Sequence, residues 1–417
     1  MFPQALTWTI AAVATAGVII RPFGLPEAIW AVTGAALLVA LRLLSPEDAL
    51  TGVGKGVDVY LFLTGMMLLA EIARQEGLFD WLAAHAARLA DGSASRLFVL
   101  VYVVGAIVTI FMSNDATAVV LTPAVAAVMR AAKAELPLPY LLICAFIANA
   151  ASFVLPISNP ANLVIYGAHM PPLLQWLPRY LAPSVLSIVV TFLVLRWTQR
   201  DALRQQLSKD VPLKTLSGAG KTAAIGIVAT SLVLLAASAL DIQLGLPTAI
   251  AGVVTALVVV WIERKNPWMT LKRISWSVLP LVAGLFVLVE ALAKTGLIAM
   301  IGSQLQLGVA HSEFAATWAA GVIVAVVSNL VNNLPAGLIA AGAVESARVP
   351  EHVQRAVLIG VDLGPNLSVT GSLATILWLG VLRREGLTVG VWTFFKLGML
   401  VMPAALLLAI GASLPFG

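Results

Sequence analysis

Apolar residues fill this chain in long unbroken blocks. They do not alternate as in strands, nor form the one-sided stripes of surface helices. Blocks such as Leu6–Ile20, Ala28–Leu44, Pro183–Leu195, Thr222–Leu240 and Thr248–Ile262 approach the length that crosses a bilayer. A hydrocarbon core of about 30 Å needs about 20 such residues in an α-helix. The pattern predicts ten spans, at 5–20, 26–44, 57–74, 138–168, 178–197, 222–240, 246–262, 275–294, 353–381 and 389–413.

Two further apolar stretches, 96–130 and 313–345, fit neither one span nor two. Each runs to about 34 residues, too long for one straight crossing at 1.5 Å per residue and too short for a pair joined by a loop. Each carries polar, helix-disfavouring residues at its middle: Ser113, Asn114 and Asp115 in the first, Asn332, Asn333 and Pro335 in the second. Both are read as re-entrant hairpins that turn near the membrane centre. Irregular backbone is tolerated there only under protein cover or beside a water-filled cavity.

Composition agrees with this class: of 417 residues, 60% are hydrophobic and 11% charged, against about 25% charged in soluble domains. With the N-terminus outside, six of the 25 basic residues fall on outer flanks (Arg42, Lys55, Arg179, Lys294, Arg348 and Arg355) and the other 19 fall in the cytoplasm. The positive-inside bias holds, and one misplaced hairpin would invert it downstream. The basic residues lie scattered in short loops, so the positive net charge does not point to nucleic acid. Met1–Trp8 lacks a basic n-region, so a cleaved signal peptide is not expected. Cys144 is the lone cysteine, which excludes an intramolecular disulfide.

The halves repeat. At an offset of 219, Glu71 aligns with Glu290, Gly77 with Gly296, Asn114 with Asn333 and Val125 with Val344. After a six-residue gap, Asn149 aligns with Asp362, Asn159 with Ser372 and Asn162 with Thr375. Each half carries five spans and a hairpin, and an odd number of spans puts the halves upside-down to each other. The predicted fold is therefore an all-α polytopic membrane protein of two inverted repeats, the plan of secondary transporters. Residues 1–197 form the first repeat, 198–221 a basic cytoplasmic linker, and 222–417 the second.

The candidate chemistry sits in four polar clusters, each beside Pro or Gly or at a hairpin tip. They are Ser113, Asn114, Asp115 and Thr117; Ser158, Asn159 and Asn162; Asn329, Asn332 and Asn333; and Asn366, Ser368, Thr370 and Ser372. Single mid-membrane amides often only join helices. Four clusters matched across a repeat point instead to one pocket at the midplane, where half-helix ends expose backbone donors and acceptors. No Arg or Lys lies at the breaks, so a small polyhydroxy neutral solute fits better than an anion. Asp115 and then Asp362 are the candidate proton carriers, because an ionised carboxylate at membrane depth is costly. A permanently hydrogen-bonded structural acid is the competing reading of each. Glu71 and Glu290 are expected to pair with Arg74 and Lys294 at helical spacing, and Cys144 to be a small core residue. Gly218, Gly220, Lys221 and Thr222 imitate the end of a phosphate-binding loop, but Thr215 stands where its first glycine belongs. The four histidines show no metal-ligand spacing, and no cofactor or catalytic constellation is expected.

At these motifs the chain resembles the ArsB arsenite/antimonite efflux permeases of the ion-transporter superfamily. The resemblance lies in Phe111–Pro123, Ala148–Asn162, Ser328–Ala336 and Gly364–Ser372. It implies trivalent arsenic or antimony hydroxide as substrate, exchange for protons, and residence in the bacterial cytoplasmic membrane, where the charge bias and the ten spans predict both termini outside. It also implies docking of a cytosolic ArsA-type ATPase, and a homodimer is among the assemblies to be expected. Sodium-coupled dicarboxylate or sulfate carriers of the same superfamily remain the alternative. Their Ser-Asn-Thr signature is only partly present, since Asp115 follows Asn114. A membrane subunit of an ATP-driven pump, and a passive channel, also remain open.

Overall fold

The computed structural model describes residues 2–213, 215–264 and 266–414, so Lys214 and Lys265 of the predicted cytoplasmic flanks lie outside the described residues. The described residues are helical almost throughout, with short turns between the helices. The first half comprises α1 (Phe2–Ile20), α2 (Glu27–Ala40), α3 (Pro46–Lys55), α4 (Val57–Gln75), α5 (Leu78–Ala90), α6 (Ala94–Phe111), α7 (Thr122–Ala131), α8 (Leu138–Ala150), α9 (Pro160–Tyr166) and α10 (Leu173–Thr198). The second comprises α11 (Gly218–Ala239), α12 (Gly245–Glu263), α13 (Pro267–Leu271), α14 (Val278–Lys294), α15 (Leu297–His311), α16 (Glu313–Val331), α17 (Asn333–Ala347), α18 (Glu351–Leu363), α19 (Leu373–Arg384) and α20 (Val391–Ser413). Among the described residues, seven helices are long and apolar enough to cross a membrane.

The outer surface is apolar: Val13, Leu193, Ile225, Leu232, Leu257 and Trp261 are exposed, as suits a lipid solvent. The innermost helices are the broken ones. Ile143, Phe146 and Ile147 on α8 and Leu358, Ile359 and Val361 on α18 are fully buried. The polar breaks that follow these helices are therefore held in the protein interior. Close helix contact stiffens the surroundings. A Cβ on Gly65 of α4 would stand 2.2 Å from the Thr248 carbonyl oxygen of α12, a clash with backbone that could not move aside cheaply.

Both predicted hairpin stretches divide into two helices at the predicted residues. Leu207 N–H donates to the Gly92 carbonyl and Ser208 N–H to the Ala132 carbonyl. The start of α6 and the end of α7 thus lie beside one strip of the linker, and the chain turns back between them. In the second stretch Glu313, opening α16, meets His352 just beyond α17 at 3.0 Å.

Charged contacts fall into two separate groups. In one, Lys55 meets Glu290 at 2.6 Å and Lys294 meets Asp48 at 2.6 Å, and Trp8 donates to Thr295 at 2.9 Å. In the other, Lys209 meets Asp91 at 3.0 Å and Arg130 meets Glu385.

Several expectations need correcting. Glu71 does pair with Arg74, through contacts of 2.6 and 2.8 Å, but Glu290 does not pair with Lys294. Helix α3 packs on α14 at Gly52, where a Cβ would come within 3.1 Å of Glu290 Cβ. Lys55, one turn on, lies over the Glu290 carboxylate, and Lys294 turns to Asp48 instead. Arg355, placed on an outer flank by sequence, is fully buried on α18. The linker is shorter than predicted. Ser217 caps α11 by accepting from Gly220 N–H at 2.9 Å, so the glycines of the false phosphate loop form that helix's first turn. Helices α3, α5, α13 and α15 were not anticipated. Two of them turn the chain sharply, with bends of 48° at α3–α4 and 70° at α14–α15.

Candidate functional site

Four helices begin at the centre of the molecule, each with a polar residue at its start. Asn159 Oδ1 accepts from Ala161 N–H at 3.0 Å and caps α9. Ser372 Oγ accepts from Thr375 N–H at 3.1 Å and caps α19. Asn332 Oδ1 accepts from Leu334 N–H at 3.4 Å at the head of α17. Ser113 Oγ stands 3.5 Å from Ala116 N at the turn that leads into α7. Short oxygen-bearing side chains are suited to this role because they reach the free N–H groups of a first turn. Two of the turns are strained. Ser113 has φ +140° and Asn332 φ +71°, and such conformations cost about 1–3 kcal/mol and cluster at functional sites. A π-helical turn at Ala116–Leu121 follows the first tip, and its Thr117 hydroxyl lies 2.8 Å from that of Thr109 on α6.

These starts meet at a cavity of about 20 Å³, room for about one water. Its polar lining is Asn114, Asp115, Asn159, Asn333 and Ser372, one or two residues from each cluster, with Val59, Leu63, Val278 and Val282 as an apolar wall. Asp115 is the charged side chain among these lining residues. Asn114 Oδ1 is buried on the cavity with no hydrogen-bond partner. Four helix N-termini give the site a partial positive potential without a basic side chain.

The other predicted residues stand behind this lining. Ser113 and Asn332 act as caps. Thr117 is held by Thr109. Ser158 donates to the Ile110 carbonyl at 2.9 Å. Asn162 donates to the Ser152 carbonyl at 2.9 Å and so closes the loop before α9. Asn366 bridges the two halves, accepting from Asn149 at 3.0 Å and donating to the Phe146 carbonyl at 3.1 Å. Thr370 donates to the Asn329 carbonyl at 3.1 Å, and Ser368 to Asn329 Oδ1 at 2.7 Å. Asp362 is fully buried next to the cavity, where Asn159 Nδ2 donates to its Oδ1 at 2.7 Å. Its Oδ2 has no hydrogen-bond partner. Cys144 is a free, buried thiol.

A second, far larger space of about 1560 Å³ lies on the face that carries Lys55 and Glu290. Lys55, Asp58, Tyr166, Glu290, Glu345 and Arg348 line it, and Val59 borders both this vestibule and the small cavity. Sequence reasoning missed the vestibule, together with the buried Tyr166, Tyr180 and Arg355 near it. One signal was present: Arg355 and Asp362, seven residues apart, share a helix face.

A profile of the citrate transporter family, CitMHS, matches residues 11–361. The arsenical pump membrane protein of Escherichia coli K12 is 27% identical over 408 residues, covering 95% of each chain. The Yersinia enterocolitica protein of the same name is 27% identical over 362 residues, 83% of each chain. A Mycobacterium tuberculosis protein described as an uncharacterized transporter is 26% identical over 412 residues, 91% of each. Among solved structures, the YdaH transporter of Alcanivorax borkumensis superposes with a TM-score of 0.55 at 16% identity, covering 100% of this chain and 98% of its own. Neisseria gonorrhoeae MtrF, from a class of antimetabolite efflux pumps, superposes with a TM-score of 0.57 at 13% identity, covering 99% and 94%. At those identities the two structures bear on the fold alone.

Proposed function

The chain belongs to the citrate transporter family, CitMHS, and on that footing we propose that this multi-span transporter exports trivalent arsenic or antimony hydroxide across the bacterial cytoplasmic membrane in exchange for protons. The carrying observation is the small cavity, where amide, hydroxyl and helix-start groups surround a single carboxylate, Asp115. An uncharged trihydroxide offers several O–H donors and oxygen acceptors. Its donors suit ionised Asp115 and the unpartnered Asn114 Oδ1, and its oxygens suit Asn333 and Ser372. The name shared by the arsenical pump relatives supports the choice of solute.

The exchange follows from the carboxylate. Ionised Asp115 accepts hydrogen bonds from the solute, and those bonds offset the cost of a bare charge at membrane depth. Protonated Asp115 loses acceptor capacity and charge, which favours return of the empty site. Asp362, joined to the cavity through Asn159, is the second proton-holding group. The cavity is too small for the solute as it stands, so binding requires the hairpin tips and broken helices to part. The two halves act as inverted repeats in this reading, with the vestibule facing outward and both termini outside.

The experiment is arsenite uptake into inverted vesicles holding only this chain, under an inside-acid gradient. Uptake that collapses with a protonophore is expected, and it would also separate the antiporter from an ATP-driven pump subunit. One observation favours a second reading: four converging helix N-termini also suit a small anion. Sodium-dependent transport of succinate or sulfate, with no arsenite signal, would establish that reading instead.

A further inference from the structure

Three span ends meet at the edge of the vestibule: the start of α4, the end of α11 and the start of α12. Beside them lies another small cavity, of about 20 Å³. Asp58, Ser238, Asp241 and Gln243 give its polar lining, and Gly167 and Pro171, between α9 and α10, border it too. Asp58 and Gln243 also line the vestibule, so the two spaces adjoin. Ser238 is the odd hydroxyl of α11. Thr222, Thr230 and Ser231 on the same helix each donate to the carbonyl four residues back, at 3.0, 2.7 and 2.9 Å. Ser238 is 4% exposed, yet its Oγ has no hydrogen-bond partner. A buried hydroxyl left bare is costly, which points to a ligand that takes its lone pairs.

Two carboxylates share this cavity with the bare hydroxyl. Asp58 Oδ1 accepts from Gly245 N–H, at the head of α12, at 2.8 Å. That bond engages one of its two oxygens. Asp241 takes the left-handed position that follows α11, φ +57°, where Gly is the usual residue. Lys55 and Lys294 are engaged by Glu290 and Asp48, and among the described residues neither Asp58 nor Asp241 has an ion-pair partner. The α12 N-terminus offsets part of the Asp58 charge, but it accounts for neither Asp241 nor the Ser238 hydroxyl.

We propose that Asp58, Ser238 and Asp241, with Gln243, bind a hard divalent cation, Ca²⁺ or Mg²⁺, at the edge of the vestibule. The polar side chains offer oxygen, and no His or Cys lines the cavity, which selects hard cations over zinc or copper. Two carboxylates match a charge of +2. The space holds about one water, so side-chain oxygens replace part of the ion's hydration shell. Asp241 and Gln243 are exposed and give the ion a path of entry. Ca²⁺ is the better fit, because it accepts irregular oxygen sets where Mg²⁺ demands near-ideal octahedral geometry. A bound ion ties the start of α4 to the end of α11, beside the turn that follows α9, and so braces the vestibule wall. The site is independent of which solute the chain carries.

The test uses the full-length chain, purified in detergent and freed of metal with a chelator, as wild type, Asp241→Asn and Ser238→Ala. Isothermal titration calorimetry reads the binding of Ca²⁺ and of Mg²⁺ in turn, and the unfolding temperature reads the linked stabilisation. Wild type should bind one Ca²⁺ with a Kd of about 10⁻⁴–10⁻³ M, the weak end of calcium sites. Its unfolding temperature should rise saturably with Ca²⁺ and stay level in KCl of equal ionic strength. Asp241→Asn should weaken binding by about tenfold or more. Ser238→Ala should weaken it several-fold, and because Ala suits a helix this variant keeps the test clear of misfolding. Wild type with no saturable binding of either ion up to about 10 mM would overturn the site. Binding that is unchanged in both variants would overturn it too, by placing the ion elsewhere, as on Glu290 and Glu345 of the vestibule.

Discussion

Asn159 uses both ends of one amide: its oxygen caps α9 and its nitrogen holds Asp362 from the other half of the chain. Truncation to Ala removes both contacts and strips a fully buried carboxylate of its donor. A cost of about 1–3 kcal/mol is expected from the lost buried hydrogen bond, with about 1 kcal/mol more from the lost cap, read as a lower unfolding temperature in detergent. Asp115 should behave differently, because it faces the cavity and has no bond holding a neighbour. Asp115→Asn is expected to fold normally by size exclusion and to lose gradient-driven arsenite flux by roughly a hundredfold. Survival of that flux would end the proton role of Asp115. Asp115 and Asp362 both stood out in the sequence as acids in apolar surroundings. Their division into a cavity-facing acid and an occluded one did not, because that depends on which half-helix crosses which.

At the scale of elements, Pro, Gly and the amides marked all four breaks, since each interrupts the helical ladder in a recognisable way. What they left open was how tightly the breaks close on each other. A Cβ at Gly371 would stand 2.5 Å from Pro365 Cα and 2.7 Å from Asn329 Oδ1. Gly371 N–H donates to the Ser368 carbonyl while Asn333 N–H donates to the Gly371 carbonyl, so one residue ties the second hairpin to the second broken helix. Gly371→Ala should therefore cost about 1–3 kcal/mol through overpacking and weaken arsenite protection of the protein against thermal unfolding. Full protection in a stable variant would remove Gly371 from the site's support. The short helices α5 and α15 escaped notice, although Gly77 and Gly296 open them with matching left-handed turns, φ +71° and +82°. Both are too short to announce themselves as spans, and their apolar faces pack inward on neighbours that the sequence does not identify.

For the whole molecule, the vestibule makes a testable claim about sidedness. Cys144 is buried, so the chain supplies its own background for single-cysteine labelling. Gln243 lines the vestibule and Asp210 lies exposed in the linker. Gln243→Cys should react with a membrane-impermeant maleimide in intact cells, and Asp210→Cys only after permeabilisation. The reverse pattern would invert the proposed orientation. The vestibule itself was illegible in the sequence: its lining comes from segments as far apart as Lys55 and Arg348, and nothing local marks a residue as facing a gap between helices. By itself the sequence determined the membrane class, the all-helical fold and the position of the four polar breaks, because hydrophobic length and backbone interruption are local properties with strong energetic consequences in lipid. Only the tertiary structure decided that Asn114, Asp115, Asn159, Asn333 and Ser372 meet at one cavity, that Glu290 answers to Lys55, and that Arg355 is buried above Asp362. Those outcomes depend on how helices distant in sequence cross and pack, and close packing at positions such as Gly52 and Gly65 fixes that.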